Sequence, residues 1–320
     1  MSTDIRSALH GLFPAPAVPF DDNLALAEDE FTAHLKTMSA VEGVSGFAVN
    51  GHAGEVGTLT PAERLRVVRL AREAAGPGQV IISGIDCVEL AQAVAELREL
   101  AGAGADAALV LPPFDSMARR GLARNRDAVY HWFDALGAAG VPLVVFQYPL
   151  STGCSYPTTV LRDVVTLEHV VAVKNAVWNT EFYIEQLAAI RDHAAVLAAC
   201  DAPELLAMMM AGCDGLLLGA SNVATASWAE FTATILRSDY NAARELFVTI
   251  LMPLLDAQFG LTRPRSTSFT ALTKEALCQL GIFSNGAMRP PDITPDTADR
   301  AQVARCLEAA GLIKPQVRGE

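Results

Sequence analysis

One lysine is placed where it can do covalent chemistry. Lys174 ends the run of residues 170–174 (VVAVK), in which four apolar residues precede the amine. Such a run is typical of a buried parallel strand, because both of its faces are apolar. A desolvated lysine there can lose its proton, attack a ketone and form a Schiff base, whereas an arginine keeps its proton. The alternative is that Lys174 only ends the strand and extends its amine into water.

Two aromatic residues and a histidine could serve that amine. Phe146 and Tyr148 are two positions apart on one predicted strand, so their side chains face the same side. If that side is the interior, Tyr148 presents its hydroxyl near the Schiff base. An unperturbed histidine titrates near neutral pH, so His52 is a candidate for moving the proton, with Asp115 as its candidate partner. The alternative is that Tyr148 is a packing residue and His52 an ordinary loop residue.

Two further carboxylates follow apolar runs. Asp86 and Asp201 each lie between a predicted strand and a predicted helix. Aspartate at that position commonly caps the helix that follows. We therefore expect both residues to be helix caps rather than substrate contacts.

The loop of residues 51–55 (GHAGE) is suited to binding an anion. Small residues at Gly51 and Ala53 let backbone N–H groups approach a ligand, and a helix begins shortly afterwards. We expect this loop to bind the carboxylate of the substrate. Glu55 is expected to order the loop rather than to contact substrate.

The order of the predicted elements indicates a TIM (β/α)₈ barrel. Eight short apolar strands alternate with helices up to about residue 222, at spacings of roughly 20 to 35 residues. We therefore expect a barrel over residues 1–222 and a helical region over 223–320 that packs on it. A doubly wound sheet is the alternative, although no GxGxxG follows the first strand. One helix start is well marked, because Thr60, Pro61 and Glu63 form a capping-box pattern.

Composition restricts the partners. The chain of 320 residues is 51% hydrophobic, carries a net charge of −12 and has a pI near 5.0. This charge disfavours nucleic acid and anionic membranes as partners, but not a small anionic substrate. The six cysteines show no CxxC pair or metal spacing, which predicts free thiols and no metal. No signal peptide or membrane span is evident, so we expect a cytoplasmic protein. We also expect that the protein uses no cofactor.

Several stretches resemble the dihydrodipicolinate synthase / N-acetylneuraminate lyase family. They are residues 15–20 (APAVPF), 51–55, 141–153 (VPLVVFQYPLSTG), 171–174, 212–222 (GCDGLLLGASN) and 288–291 (MRPP). The resemblance covers nearly the whole chain, and the lysine strand is its most specific part. It implies a TIM-barrel lyase or aldolase that acts on pyruvate or another 2-oxo acid through a Schiff base. It also implies a homo-oligomer, either a dimer or a tetramer.

The sequence departs from the family pattern around the lysine. The family's relay tyrosine falls at Phe146, its relay threonine at His52 and its carboxylate-binding threonine at Ala53. A second relay tyrosine, usually lent by a neighbouring subunit, falls at Asp115, and the arginine of true dihydrodipicolinate synthases falls at Ser151. We therefore expect a family member that is not a dihydrodipicolinate synthase.

The preferred hypothesis is a lyase or aldolase in which Lys174 forms the Schiff base and Tyr148 or His52 moves the proton. The residues expected around the substrate are Gly51, Ala53, Asp115, Phe146 and Leu217. One alternative is a Schiff-base dehydratase of a 2-keto-3-deoxy sugar acid. Another is a 2-oxo acid binder without catalytic activity.

Overall fold

Eight parallel strands form one sheet that curves into a barrel. The computed structural model describes residues 5–114, 117–261 and 267–314. The strands are β1 (Gly11–Pro14), β2 (Gly46–Val49), β3 (Val80–Ile85), β4 (Ala107–Val110), β5 (Leu143–Gln147), β6 (Val170–Asn175), β7 (Ala195–Ala198) and β8 (Gly215–Leu218). Their order is β1-β8-β7-β6-β5-β4-β3-β2, and a parallel bridge from Leu12 to Val44 joins the first strand to the second. This order has no reversal, so it excludes the doubly wound alternative and confirms the predicted barrel.

Helices alternate with these strands and continue after the last of them. They are α1 (Ile5–Ala8), α2 (Glu28–Ser39), α3 (Pro61–Ala74), α4 (Leu90–Ala103), α5 (Arg126–Leu136), α6 (Thr158–Val164), α7 (Thr180–Ile190), α8 (Glu204–Ala211), α9 (Thr225–Leu236), α10 (Tyr240–Leu246), α11 (Met252–Phe259), α12 (Phe269–Gln279) and α13 (Thr297–Ala309). The predicted capping box at α3 is confirmed: Thr60 Oγ1 accepts from the Glu63 N–H, and Glu63 accepts from the Thr60 N–H. Within the described part of the chain, no helix is both long and apolar enough to cross a bilayer.

The strands are apolar on both faces because each separates two packed layers. On β6, Ala172 belongs to the cluster inside the barrel, and Val173 belongs to the layer between strands and helices. Ala176, just beyond the strand, again lies inside. Lys174 lies two residues from each of these alanines, so it takes an inward position between two small side chains. The alternation therefore places the amine inside the barrel at its C-terminal end.

The C-terminal helices complete the molecule. Helix α9 packs on β1 and β8, and α11, α12 and α13 pack on one another. The sequence pattern predicts one helix over residues 240–255, but the structure divides it, because a π-helical turn at Phe247–Leu251 separates α10 from α11. Helix α11 ends at Gly260, whose left-handed conformation (φ 63°) stops the helix. This arrangement brings the end of α11 and the start of α12 to the barrel mouth.

Candidate active site

A cavity of about 280 Å³ opens at the C-terminal ends of the strands. This is the end at which TIM barrels carry their active sites. Seven residues singled out from the sequence border it: Gly51, His52, Ala53, Phe146, Tyr148, Lys174 and Leu217. Asp115, also singled out, lies outside the described residues. One cavity thus brings together residues from the loops or ends of four different strands.

Lys174 contributes the amine of this cavity. Its Nζ lies 4.0 Å from the centroid of the Phe146 ring, and Phe146 is its register partner on β5. Burial lowers the pKa of Lys174 to about 8, and the nearby charge of Asp201 opposes that change. At pH 7 the neutral fraction of the amine is then about 10%, compared with about 0.03% for a lysine with the ordinary pKa of 10.5. The amine is therefore available as a nucleophile near neutral pH.

Asp201 is a cavity residue, and the expectation that it caps a helix was wrong. Helix α8 begins at Glu204, its N-cap position is Pro203, and no side chain caps it. Asp201 instead borders the cavity, where its Oδ1 is buried and accepts no hydrogen bond from the described residues. Burial raises the pKa of Asp201 to about 6, and Lys174 opposes this rise. The cavity therefore contains a carboxyl group and an amine, and the charge of each opposes the pKa shift that burial causes in the other.

The capping prediction for Asp86 was also wrong. The side chain that caps α4 is Glu89, which accepts from the N–H groups of Ala91 and Gln92. Asp86 is exposed and is not among the residues that border the cavity. Of the two aspartates only Asp201 therefore borders the cavity, although their positions in the sequence are alike.

Tyr148 and His52 form a hydrogen-bonded pair at the edge of the cavity. The Tyr148 hydroxyl lies 2.8 Å from His52 Nε2, and the tautomer of the imidazole decides which of the two donates. The Phe146 ring packs edge-on against Tyr148, with 4.6 Å between centroids. Phe146 and Tyr148 thus face the same side, as predicted. A phenol bonded to an imidazole can pass a proton to or from a bound ligand.

Two buried residues in left-handed conformations hold the 51–55 loop: Asn50, which precedes it, and Glu55, its last residue. Asn50 (φ 54°) donates from its amide to the Arg64 carbonyl and to Ser83 Oγ. Glu55 (φ 54°) is paired with Lys274 of α12, at 2.5 Å between Oε1 and Nζ. Both side chains are buried, so they fix the ends of the loop. Glu55 therefore orders the loop, as expected from the sequence.

Within that loop the N–H group of Ala53 is available to a ligand. The N–H groups of Gly54, Glu55 and Val56 all donate to carbonyls of the same loop. Ala53 borders the cavity, and no described residue accepts a hydrogen bond from its N–H. Its backbone can therefore donate to an anionic group of the ligand.

Two phenylalanines of the cavity wall were not found from the sequence. Phe259 at the end of α11 and Phe269 at the start of α12 both border the cavity, and their rings stack at 5.1 Å. Trp178, which follows β6, borders it too. The two phenylalanines lie in the predicted helical region, where no strand end marked them as site residues. Among the described residues, no cluster of His, Cys, Asp or Glu is arranged to hold a metal ion.

Comparison with known proteins agrees with this geometry. Residues 8–310 match the Dihydrodipicolinate synthetase family. The chain is 30% identical to the 4-hydroxy-tetrahydrodipicolinate synthase of Phenylobacterium zucineum, over 97% of this chain and 100% of that protein. It is 27% identical to an uncharacterised DapA-like lyase of Rhizobium meliloti, over 73% of this chain and 76% of that one.

The fold is shared with a solved enzyme structure. The dihydrodipicolinate synthase of Acinetobacter baumannii, solved in complex with pyruvate, superposes with a TM-score of 0.83 at 22% identity. The similarity covers 95% of this chain and 100% of that chain. Because the family model matches residues 8–310 and a relative is 30% identical over nearly the whole chain, the chain belongs to the dihydrodipicolinate synthetase family.

Proposed function

We propose that this protein is a Schiff-base lyase that makes or breaks a carbon–carbon bond next to a pyruvate unit. The observation that carries the proposal is Lys174, an amine inside a cavity at the active-site end of the barrel, with a pKa lowered by burial to about 8. Family membership supports the same reaction class, since several relatives are named as synthases or lyases.

The reaction begins when neutral Lys174 attacks the C2 ketone of the 2-oxo acid. Water leaves from the resulting carbinolamine, and an iminium ion forms. In the cleavage direction a base takes the proton of the C4 hydroxyl, the C3–C4 bond breaks, and an aldehyde departs. The electron pair of that bond enters the iminium and gives an enamine. Protonation at C3 and hydrolysis then release pyruvate and restore the amine.

Two groups of the cavity can perform the proton transfers. The Tyr148–His52 pair supplies a phenol joined to an imidazole at 2.8 Å. Asp201 supplies a carboxyl group with a raised pKa of about 6, close to the pH at which it must both give and take a proton. Phe146 has no hydroxyl to offer, so one or both of these groups replaces the relay tyrosine that the family resemblance places there.

The carboxylate of the 2-oxo acid has a donor in the 51–55 loop. We assign it to the N–H of Ala53, because Ala53 borders the cavity and its N–H donates to no described residue. Leu217 and Gly51 border the same space. Binding by a backbone N–H explains how an alanine can stand where the family resemblance places a threonine.

Borohydride trapping tests the proposal. Incubation with pyruvate followed by borohydride should add the reduced pyruvyl group to the peptide that contains Lys174. Lys174→Arg should abolish the adduct, whereas Lys36→Arg, at an exposed site in α2, should leave it unchanged. The proposal is wrong if pyruvate and a panel of other 2-oxo acids give no adduct at Lys174.

Product analysis separates the lyase from its closest alternative. A lyase releases pyruvate and an aldehyde, whereas a dehydratase releases water and a dehydrated keto acid. A binder without catalytic activity is less consistent with the cavity, since three side chains of types that can transfer a proton border it: Tyr148, His52 and Asp201. We also propose that the reaction differs from dihydrodipicolinate synthesis, because Ser151 stands where the resemblance places the defining arginine.

The assembly and location of the protein remain proposals. We propose a cytoplasmic homo-oligomer, by analogy with the family. Light scattering that gives the mass of a single chain, 33.9 kDa, would contradict the oligomer.

A further inference from the structure

The described wall of the cavity is mostly apolar. Its apolar members come from strands, loops and C-terminal helices alike, and they include Leu109, Phe146, Trp178, Leu217, Phe259 and Phe269. A cavity of about 280 Å³ lies near the lower limit of small-molecule sites, roughly 300–1,000 Å³. One small ligand therefore fills it and contacts these side chains directly.

The polar groups of the described wall are few, and most are already paired. Thr152 Oγ1 donates to the Pro149 carbonyl at 2.8 Å and accepts from the Cys154 N–H at 3.1 Å. Tyr148 and His52 are bonded to one another. A ligand tail with several hydroxyl groups would bury them without enough partners, which is unfavourable. The described wall is therefore better suited to an apolar tail.

Three aromatic residues line the outer part of the cavity wall. The Phe259 and Phe269 rings are nearly parallel, with an interplanar angle of 13°. Trp178 has a left-handed backbone (φ 53°), which is unusual for a bulky residue, and its side chain is 41% exposed. A strained and partly exposed tryptophan at a cavity edge is typical of a ligand contact. Its indole can pack on a ring that enters the cavity.

We propose that the aldehyde half of the substrate carries an aromatic ring, so that the enzyme makes or cleaves a 4-aryl-4-hydroxy-2-oxo acid. This inference rests on the proposed function. In the cleavage direction the C3–C4 bond breaks, the C4 hydroxyl proton goes to a base, and an aromatic aldehyde leaves. The pyruvate half keeps the electron pair as an enamine and takes a proton at C3. No oxidant or reductant takes part.

Trapping with 2-oxo acids of different tails tests the inference without requiring turnover. The probes are pyruvate, 4-phenyl-2-oxobutanoate, 4-cyclohexyl-2-oxobutanoate and 2-keto-3-deoxygluconate. We expect the half-saturating concentration of the phenyl compound to be at least tenfold below that of the sugar acid and several-fold below that of the cyclohexyl compound. Equal or tighter trapping of either competitor would overturn the aromatic assignment. Failure of all four probes at Lys174 would instead refute the Schiff base itself.

Variants at the cavity edge test the role of the tryptophan. Trp178→Ala and Trp178→Gly should each raise the ratio of half-saturating concentrations, phenyl compound to pyruvate, by about tenfold. Glycine tolerates the left-handed backbone, so Trp178→Gly guards against a folding defect. Tyr240→Ala is the matched control, since Tyr240 is 40% exposed and is not among the residues that border the cavity. An unchanged ratio in both Trp178 variants would contradict the proposed contact.

Discussion

The coupling between Lys174 and Asp201 predicts how Schiff-base formation depends on pH. Since burial lowers the pKa of Lys174 to about 8, the rate of adduct formation with pyruvate should rise with pH and reach half its maximum near pH 8. At pH 7 the rate should be about a tenth of the maximum, whereas an amine with the ordinary pKa of 10.5 would show about 0.03%.

Asp201→Asn removes the charge that opposes the effect of burial. The pKa of Lys174 should then fall below 8, because burial acts alone on the charged amine. The rate of adduct formation at pH 7 should increase, by at most about tenfold, since about a tenth of the amine is already neutral. Carbon–carbon bond turnover should decrease in the same variant if Asp201 transfers a proton. Opposite changes in these two rates would identify a group that acts in both steps.

The assay follows adduct formation over time at each pH. Samples are transferred into one borohydride solution of fixed pH, so that reduction is equally efficient throughout, and the Lys174 peptide is quantified by mass spectrometry. The peptide that contains the exposed Lys36 serves as an internal reference. A half-maximum near pH 10 in the unmodified protein, or an identical profile in Asp201→Asn, would refute the reasoning.

Three further predictions concern stability, measured by urea unfolding. His34 is buried, and burial lowers its pKa to about 4, so the unfolded chain binds a proton at this residue more readily than the folded chain does. The free energy of unfolding should therefore decrease by about 3 kcal/mol as the pH falls from 6.5 to 4. His34→Gln should remove this part of the pH dependence. Lys274→Met should lower the free energy of unfolding by about 3–5 kcal/mol, because it leaves Glu55 buried without its cation. Adding Glu55→Gln should recover part of that loss. A double variant no more stable than Lys274→Met would contradict this prediction. Glu63→Gln should lower the free energy of unfolding by about 2 kcal/mol, because Arg289 donates to both carboxylate oxygens, at 2.6 and 2.9 Å. The same contacts hold the pKa of Glu63 near 2, so this contribution to the free energy of unfolding is present above pH 4.5 and is lost as the pH falls towards 2.

The barrel and its amine could be predicted because their signals are local. Each strand is a short apolar run between turn residues; the run of residues 215–218, for example, predicts the strand that the structure shows as β8. Lys174 was found because a charged residue interrupts such a run, and the alternation of side chains along β6 determines that it faces inward. Phe146 and Tyr148 were placed on one side by the same alternation.

The parts that were missed depend on contacts between distant segments. Asp201 has the local pattern of a helix cap, and only the packing of β7 beside β6 places it near Lys174. Phe259 and Phe269 border the cavity because α11 and α12 fold back on the barrel, which helical periodicity does not predict. The division of the helix over residues 240–255 is the exception, because a local signal was present: Pro253 follows the π-helical turn by two residues and has no N–H to continue the helix.

The cavity wall draws on two parts of the chain that can vary independently. The barrel supplies the nucleophile, whereas Phe259 and Phe269 belong to helices beyond the eighth strand. Substitutions in those helices can therefore change which molecules are accepted while the reactive nitrogen stays in place. The buried Glu55–Lys274 ion pair limits this freedom, because Lys274 lies on the same helix as Phe269 and anchors the loop that carries His52. Diversification of substrate range in relatives should therefore concentrate at Phe259 and Phe269 and spare that ion pair.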